Sequence, residues 1–297
     1  MIMDTVKFLG FDCVSLANAS LNLLVTRSVG PRLISLCLNG GDNLLAELPD
    51  IVAERPDGEK FHFYGGHRLW HAPENMPRSY IQDDGPVEVV QTRNSLLVTQ
   101  PVEVGTGIEK SILISLVDEK PQVILCHTLT NRGLWPVECA PWAITQLKPG
   151  GVAILPQSQQ QTAMLPNRSL ALWPYSEITN PDVSWGDQYI LVRSEMQESI
   201  FKIGFPNLRG WLAYWHSGTL FVKRAAFNPH AAYYDFNSSS ECYCNHRFLE
   251  LETLAPISTL EPGASVTHTE TWELFANVAF PADESVAQSL VEKLGLE

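Results

Sequence analysis

The chain has 297 residues, 45 % of them hydrophobic and 18 % charged, and its 20 Lys and Arg against 33 Asp and Glu leave a net charge of −13. This composition is typical of a globular protein and excludes a disordered or fibrous chain. The acidic excess repels phosphate groups and anionic lipid heads, so we expect neither nucleic acid nor a membrane as a partner. Because the sequence contains no secretion signal and no long apolar run, we expect a cytoplasmic protein.

Short segments in which apolar and polar residues alternate run through most of the chain. Alternation with a period of two places one face of a strand on a core. The clearest case is 108–116, which continues after a turn at 118–121 into a second alternating run, as in an antiparallel hairpin. Further strands are predicted at 21–26, 32–38, 87–91, 95–104, 189–194, 200–205, 211–215, 219–224, 247–254 and 266–275.

Helical periodicity is confined to the end of the chain. Apolar residues share one face of 283–294, and two acidic residues begin that segment, where a helix favours negative charge. Many strands and one terminal helix predict an all-β fold, a large antiparallel β-sandwich with a C-terminal helix packed outside it. No repeat or linker divides the sequence, so 1–297 is interpreted as one domain. The irregular segment 150–187 carries Trp173, Tyr175 and Trp185, and we expect it to line a site or cover an edge.

A dense group of functional side chains follows a glycine pair in 64–74. His67 and His71 supply imidazoles, Arg68 offers planar bidentate donation, and Trp70 offers a flat face that can stack on the C–H surface of a sugar. We interpret the segment as a substrate-binding loop. An ordinary structural loop with a packed Trp is the alternative.

A second group, in 242–254, is organised by strand parity. If 248–254 is a strand, Phe248, Glu250 and Glu252 share one face, with the two carboxylates about 6–7 Å apart at roughly 3.3 Å per residue. Two acids on a dry face would be costly, so this face is predicted to line a polar cleft. The alternative is a solvent-facing strand with two ordinary carboxylates.

Metal and nucleotide sites are not predicted. Cys242, Cys244 and His246 alternate, but zinc sites favour two Cys residues with two to four residues between them and a second ligand pair elsewhere, and no second pair is evident. The sequence has no P-loop, no dinucleotide fingerprint and no serine nucleophile elbow. We therefore expect no metal and no cofactor. The other charged candidates for substrate binding, each with an ordinary surface charge as the alternative, are Lys202, Lys223, Asp235 and His246.

The C-terminal region resembles the aldose 1-epimerase (galactose mutarotase-like) superfamily. The resemblance rests on 248–256, the Leu-Glu-Pro-Gly turn at 260–263, a closing strand through Trp272, and the Thr-Asn pair after Leu129. It implies a large β-sandwich that acts on sugars, and it implies that Glu252 is the catalytic base. The family's general-acid histidine, which follows the Thr-Asn pair, has no counterpart in 132–143.

Anomer interconversion needs a base at the C1 hydroxyl and an acid at the ring oxygen. We expect Glu252 to be the base and His67, His71, His230 or His246 to be the acid, because histidine titrates near neutral pH. The leading hypothesis is a carbohydrate-binding protein with aldose 1-epimerase-like activity. The alternatives are a non-catalytic sugar-binding or sensing protein that lacks the acid, and an accessory domain of a polysaccharide lyase or glycosidase.

Overall fold

Two large antiparallel sheets dominate the computed structural model, which describes residues 5–92, 94–195 and 199–296. Strands and helices are numbered along the sequence. Sheet 1 contains, in spatial order, β1 (Thr5–Phe8), β2 (Phe11–Ala17), β3 (Leu21–Thr26), β4 (Arg32–Leu38), β7 (His67–Ala72), β12 (Val137–Leu147), β21 (Leu249–Leu254), β20 (Ser240–Cys244), β17 (Phe201–Phe205) and β14 (Ala171–Leu172), with β22 (Ser258–Leu260) paired to β12.

Sheet 2 covers one face of sheet 1. Its strands are, in spatial order, β15 (Val183–Trp185), β16 (Tyr189–Arg193), β13 (Val152–Pro156), β18 (Trp211–His216), β19 (Thr219–Ala225), β23 (Ser265–Phe275), β11 (Gln122–Asn131), β10 (Ile108–Leu116), β9 (Ser95–Thr99) and β8 (Glu88–Gln91). A separate hairpin consists of β5 (Glu47–Glu54) and β6 (Lys60–Gly65), and the helices are α1 (Met76–Ser79), α2 (Tyr234–Asn237) and α3 (Glu284–Leu294).

The main core fills the space between the two sheets. Leu69 and Leu251 of sheet 1 pack in one cluster with Ile112 and Val123 of sheet 2. This is the arrangement that period-two alternation produces, because every second side chain of a strand reaches the facing sheet. The predicted antiparallel β-sandwich is therefore confirmed.

The C-terminal helix packs on the outer face of sheet 2, as predicted. Leu290 and Val291 of α3 contact a cluster that includes Trp211 and Val222. The helix begins where the Asp283 carboxylate accepts the Val286 N–H at 3.0 Å, which satisfies one of the free donors of the first turn. Within the described ranges, no helix is long and apolar enough to cross a membrane.

The segment interpreted as a loop, 64–74, contains a central strand instead, and that interpretation is wrong. Every residue of β7 is buried, so the polar and apolar alternation that marks a one-sided strand is absent. Gly65 and Gly66 connect β6 to β7 with a left-handed backbone and a close approach to neighbouring strands, both of which favour glycine. Their φ angles are +88° and +76°, and an added Cβ would lie 1.9 Å from Ala46 O and 2.1 Å from Leu33 O.

Candidate functional site

Strand parity in β7 divides the predicted site residues between two faces of sheet 1. Leu69 belongs to the core between the sheets, so His67 and His71, which lie two residues to either side, face the same interior. Arg68 and Trp70 face the opposite way, toward a cavity on the outer face of sheet 1. Half of the predicted group therefore reaches the cavity.

The outer cavity has a volume of about 320 Å³. That size lies at the lower end of the range for small-ligand sites, about 300–1,000 Å³. Four charged side chains line it, together with eight aromatic rings and two isoleucines. The lining residues are Phe63, Arg68, Trp70, Glu74, Tyr80, Trp142, Ile144, Trp173, Tyr175, Ile200, Lys202, Tyr243, Phe248 and Glu250.

Arg68 lies against aromatic rings with part of its guanidinium unpartnered. Its Cζ is 4.6 Å from the ring centroid of Trp70 and 5.3 Å from that of Phe63. Its Nη2 donates to Glu250 Oε1 at 3.2 Å, whereas Nε and Nη1 are buried and meet no acceptor among the described residues. A buried donor without an acceptor is costly, so this group suits a ligand that brings acceptor oxygens.

Glu250 places a carboxyl group on the cavity wall. Its Oε1 accepts hydrogen bonds from Arg68 Nη2 at 3.2 Å and from Gln146 Nε2 at 2.9 Å. Burial raises the pKa of Glu250 to about 7, and the positive charge of Arg68 partly opposes that rise. The group therefore exchanges a proton near neutral pH.

Lys202 is the second positively charged side chain of the cavity wall, after Arg68. Its Nζ lies 2.8 Å from Glu241 Oε2 and 3.2 Å from Glu252 Oε2, and 4.8 Å and 4.6 Å from the ring centroids of Trp142 and Trp173. Burial alone would lower the pKa of Lys202, but the carboxylates of Glu241 and Glu252 raise it well above its usual value. The side chain is therefore an ammonium ion at neutral pH.

Glu252 lies directly behind the cavity wall. Its Oε2 accepts from Trp142 Nε1 at 2.7 Å and from Lys202 Nζ at 3.2 Å, and both donors line the cavity. The residue itself is 1 % exposed, and its Oε1 has no hydrogen-bond partner among the described residues. The predicted sharing of one strand face by Glu250 and Glu252 holds, but only Glu250 reaches the cavity.

His67 lies in the sandwich interior, so its expected place in a shared pocket with Arg68 is wrong. Its Nε2 lies 2.8 Å from His127 Nε2, and its Nδ1 lies 2.9 Å from Thr145 Oγ1. Burial holds the pKa of His67 well below its usual range, and the neighbouring His127 adds to that effect. The cause of the error is parity, because adjacent residues of β7 point to opposite faces.

Lys223 and His71 also face the interior and line no part of the outer cavity. Lys223 Nζ is 2.9 Å from Glu270 Oε1 and donates to the carbonyl of Leu251 at 2.9 Å. His71 Nε2 lies 3.2 Å from Glu103 Oε2, and burial lowers the pKa of His71. The expected roles of His71 as a general acid and of Lys223 as a substrate contact are corrected for the same reason: their strands present these positions to the facing sheet.

Three further candidates lie outside the cavity lining. His230 and His246 are exposed in turns. Asp235 is partly buried, has a left-handed backbone with φ of 52°, and has a pKa that burial raises. Cys242 and Cys244 point into the core and away from His246, so these three residues do not converge.

One other cluster in the described part of the chain has the side chains of a metal site. His67, His127 and Glu270 each bring a ligand atom within 4.8 Å of the others. However, the two Nε2 atoms contact each other and the carboxylate pairs with Lys223, so these atoms are already engaged. The arrangement is that of a closed hydrogen-bonded network inside the sandwich.

Sequence reasoning missed several groups around the cavity. Trp173 and Tyr175 carried a signal, because aromatic residues in the irregular segment were expected to line a site. Trp142 carried no sequence signal, because the residues of β12 do not alternate between polar and apolar. Glu241 carried none either, because no motif includes it. Trp185 of the same irregular segment does not line the cavity and donates to the carbonyl of Ile178.

Comparisons with solved structures identify the fold. The structure is similar to a galactose mutarotase-like protein from Lactobacillus casei (TM-score 0.58, 11% identity, 89% of this chain and 100% of that chain). It is also similar to a candidate aldose 1-epimerase from Escherichia coli (TM-score 0.55, 13% identity, 89% of this chain and 99% of that chain). A third similar structure is a galactose mutarotase-like protein from Clostridium acetobutylicum (TM-score 0.53, 8% identity, 93% of this chain and 98% of that chain). No protein-family model and no curated protein matches the chain. At these identities the comparisons show the galactose mutarotase-like fold alone.

Proposed function

We propose that the outer cavity binds a sugar and interconverts its anomers by aldose 1-epimerase-like chemistry. The observation that carries the proposal is the convergence, on one aromatic-lined wall, of Arg68 with unpartnered donors, the ammonium of Lys202 and the carboxyl of Glu250. Sugars present C–H faces that stack on aromatic rings and hydroxyl groups that bind such donors and acceptors. The similarity of the fold to mutarotase-like proteins supports the same conclusion.

The reaction is a balanced pair of proton transfers. A base removes the C1 hydroxyl proton, the C1–O5 bond breaks, and an acid protonates O5 to leave an open-chain aldehyde. Rotation about the C1–C2 bond and the reverse transfers close the ring as the other anomer. We assign the base to Glu252, whose negative charge the Lys202 ammonium and the Trp142 N–H stabilise.

The position of Glu252 sets a condition on this assignment. Glu252 is 1 % exposed, and Trp142 and Lys202, which contact its Oε2, line the cavity, so side chains of the wall have to shift before a sugar hydroxyl reaches Glu252 Oε1. Ligand entry is expected to cause that shift, because sugar oxygens offer Lys202 an alternative set of acceptors. The required movement is one of side chains and leaves β21 in place.

A non-catalytic sugar-binding protein is the second candidate. It is favoured by the burial of Glu252, which is 1 % exposed, and by the location of His67 and His71 in the sandwich interior. Such a protein keeps the aromatic and charged wall for recognition and transfers no proton. The two candidates predict the same binding and differ in turnover alone.

Anomeric exchange measured by NMR separates these candidates. A panel of aldoses is followed with and without protein, and the proposal predicts exchange above the protein-free rate for at least one sugar. Saturable binding without added exchange would establish the non-catalytic alternative, and no binding across the panel would contradict both.

The variant E252Q tests the base directly. The amide oxygen still accepts from Trp142 and Lys202, so the fold and sugar binding should persist while the exchange rate falls by about 10²–10⁴-fold. E273Q is the matched control, because Glu273 is a strand carboxylate of sheet 2 that pairs with Arg224 outside the cavity. Wild-type exchange rates in E252Q would remove Glu252 from the mechanism.

A further inference from the structure

Ring opening needs a proton donor, and the histidines considered from the sequence do not supply it. His67 and His71 face the sandwich interior, and His230 and His246 are exposed in turns. Among the described residues no histidine lines the outer cavity. The donor therefore has to be another group on the cavity wall.

Several wall groups bind their protons too tightly for this task. Burial raises the pKa of both Tyr80 and Tyr175 far above neutrality. The pKa of Lys202 is also raised well above its usual value, against the effect of burial, because two carboxylates contact its ammonium. An efficient general acid has a pKa near the working pH, which these three groups lack.

Glu250 has the required position. Both of its hydrogen bonds to described residues, from Arg68 Nη2 and from Gln146 Nε2, end on Oε1. This leaves Oε2 free for a ligand, and the side chain lines the cavity with 10 % of its surface exposed. Arg68 and Gln146 thus fix the orientation of the carboxyl group without using the oxygen that would carry the proton.

The proton affinity of Glu250 agrees with this position. Burial raises its pKa to about 7, with Glu252 adding to the rise and the cations Arg68 and Lys202 opposing it, so near neutral pH the protonated and ionised forms are both well populated. Glu252 lies two residues along the same face, which leaves roughly 6–7 Å between the two residues at about 3.3 Å per residue. This spacing is comparable to the width of a sugar ring, so once the wall side chains in front of Glu252 have shifted, one ring can present a different substituent to each carboxyl group.

We propose that Glu250 is the catalytic general acid that protonates the ring oxygen, in the place that a histidine was expected to fill. The assignment rests on the proposed anomer-interconverting function. In the forward step Glu250 Oε2–H donates its proton to O5 as the C1–O5 bond breaks, and Glu252 gains the C1 hydroxyl proton. Ring closure returns both protons, so neither carboxyl group is consumed and no co-reactant is needed.

The test is the pH dependence of catalysed anomeric exchange, corrected for the protein-free rate. Because the acid works only when protonated, the wild-type rate should fall as the pH rises through about 7. In E250Q the rate should drop by about 10²–10⁴-fold, and the decrease in rate as the pH rises, called here the alkaline fall, should disappear. E273Q should keep the wild-type profile. E250D, which restores a carboxyl group on a shorter side chain, should recover part of the rate and the alkaline fall.

The outcomes separate this assignment from the proposed function. If wild-type protein exchanges anomers and E250Q keeps both its rate and its alkaline fall, the assignment of Glu250 is overturned and the proposed function stands. If wild-type protein accelerates exchange for no sugar of the panel, both are overturned. A sugar-binding measurement on E250Q shows that the variant is folded, so a lost rate cannot be ascribed to misfolding.

Discussion

Two clusters of the same composition lie on either side of sheet 1, and they differ in how completely their hydrogen bonds are satisfied. In each, a Trp indole N–H donates to a Glu carboxylate, at 2.7 Å in the outer cluster and 2.8 Å in the inner cluster. In each, a Lys ammonium contacts the same carboxylate, at 3.2 Å and 2.9 Å respectively. The outer cluster consists of Trp142, Glu252 and Lys202, and the inner cluster consists of Trp272, Glu270 and Lys223.

The inner cluster is closed. Lys223 Nζ also donates to Ala143 O and Leu251 O, and both carboxylate oxygens of Glu270 accept hydrogen bonds. A buried polar network with every member satisfied makes the structure specific and rigid, and it leaves nothing for a ligand to bind. This explains why residue type alone misassigned Lys223 to the substrate site.

The outer cluster is open. Glu252 Oε1 has no partner among the described residues, and neither do two nitrogens of Arg68 on the adjacent cavity wall, although all three atoms are buried. Unsatisfied buried groups cost free energy that a ligand can recover, and they concentrate at functional sites. The comparison therefore predicts that changes in the inner cluster affect stability, whereas changes in the outer cluster affect binding and turnover.

The largest expected effect on stability is in the inner cluster. Lys223→Met leaves the Glu270 carboxylate buried without a cation, so the free energy of unfolding should fall by about 3–5 kcal/mol. Denaturant titration measures this change. The double variant K223M/E270Q removes both charges and should regain most of the loss. A K223M protein of wild-type stability with altered sugar affinity would contradict the division between the clusters.

The next largest effect is expected on sugar binding, when Arg68 is replaced. Arg68→Met removes charged donors that a ligand would use, so sugar affinity should fall by about 10–100-fold, which corresponds to the roughly 1.5–3 kcal/mol of a hydrogen bond to a charged group. Because Arg68 lowers the pKa of Glu250, its loss should also move the alkaline fall of activity to higher pH. Calorimetric titration and the pH profile measure the two effects, and an unmoved profile would contradict the coupling of Arg68 to Glu250.

Strands with a clear alternation of polar and apolar residues were predictable from the sequence, and so were some fully buried strands that lie between turn-forming residues, such as β17 and β21. Strands β3 and β10 coincide with the predicted runs 21–26 and 108–116 because their polar and apolar residues alternate, and β4 coincides with 32–38 although both of its faces are largely buried. The central strands β7 and β12 did not coincide with predicted runs, because they lack such alternation: one face packs in the core and the other supports the cavity, so both faces are buried. The cavity takes Arg68 and Trp142 from these two strands, whereas Lys202 and Glu250 come from the predicted strands β17 and β21.

The candidate site was predictable only within single strands. Parity correctly grouped Glu250 with Glu252, because that rule needs only adjacent residues. The contact of Arg68 with Glu250 joins residues 182 positions apart, through the pairing of β7 and β21 with β12. Register between distant strands has no local signal in one sequence, so this contact could not be inferred. The exclusion of His67 follows from parity, but only once 67–72 is known to be a strand and not a loop.

The most direct test compares the two clusters by NMR. In ¹⁵N-labelled protein, the indole N–H of Trp142 reports on the outer cluster and that of Trp272 reports on the inner cluster, and each signal is assigned by a Trp→Phe variant. The protein is titrated with the sugar of the panel that shows the fastest catalysed exchange. We expect a saturable shift of the Trp142 signal with the Trp272 signal unmoved. A saturable shift of Trp272 with Trp142 unmoved would contradict it.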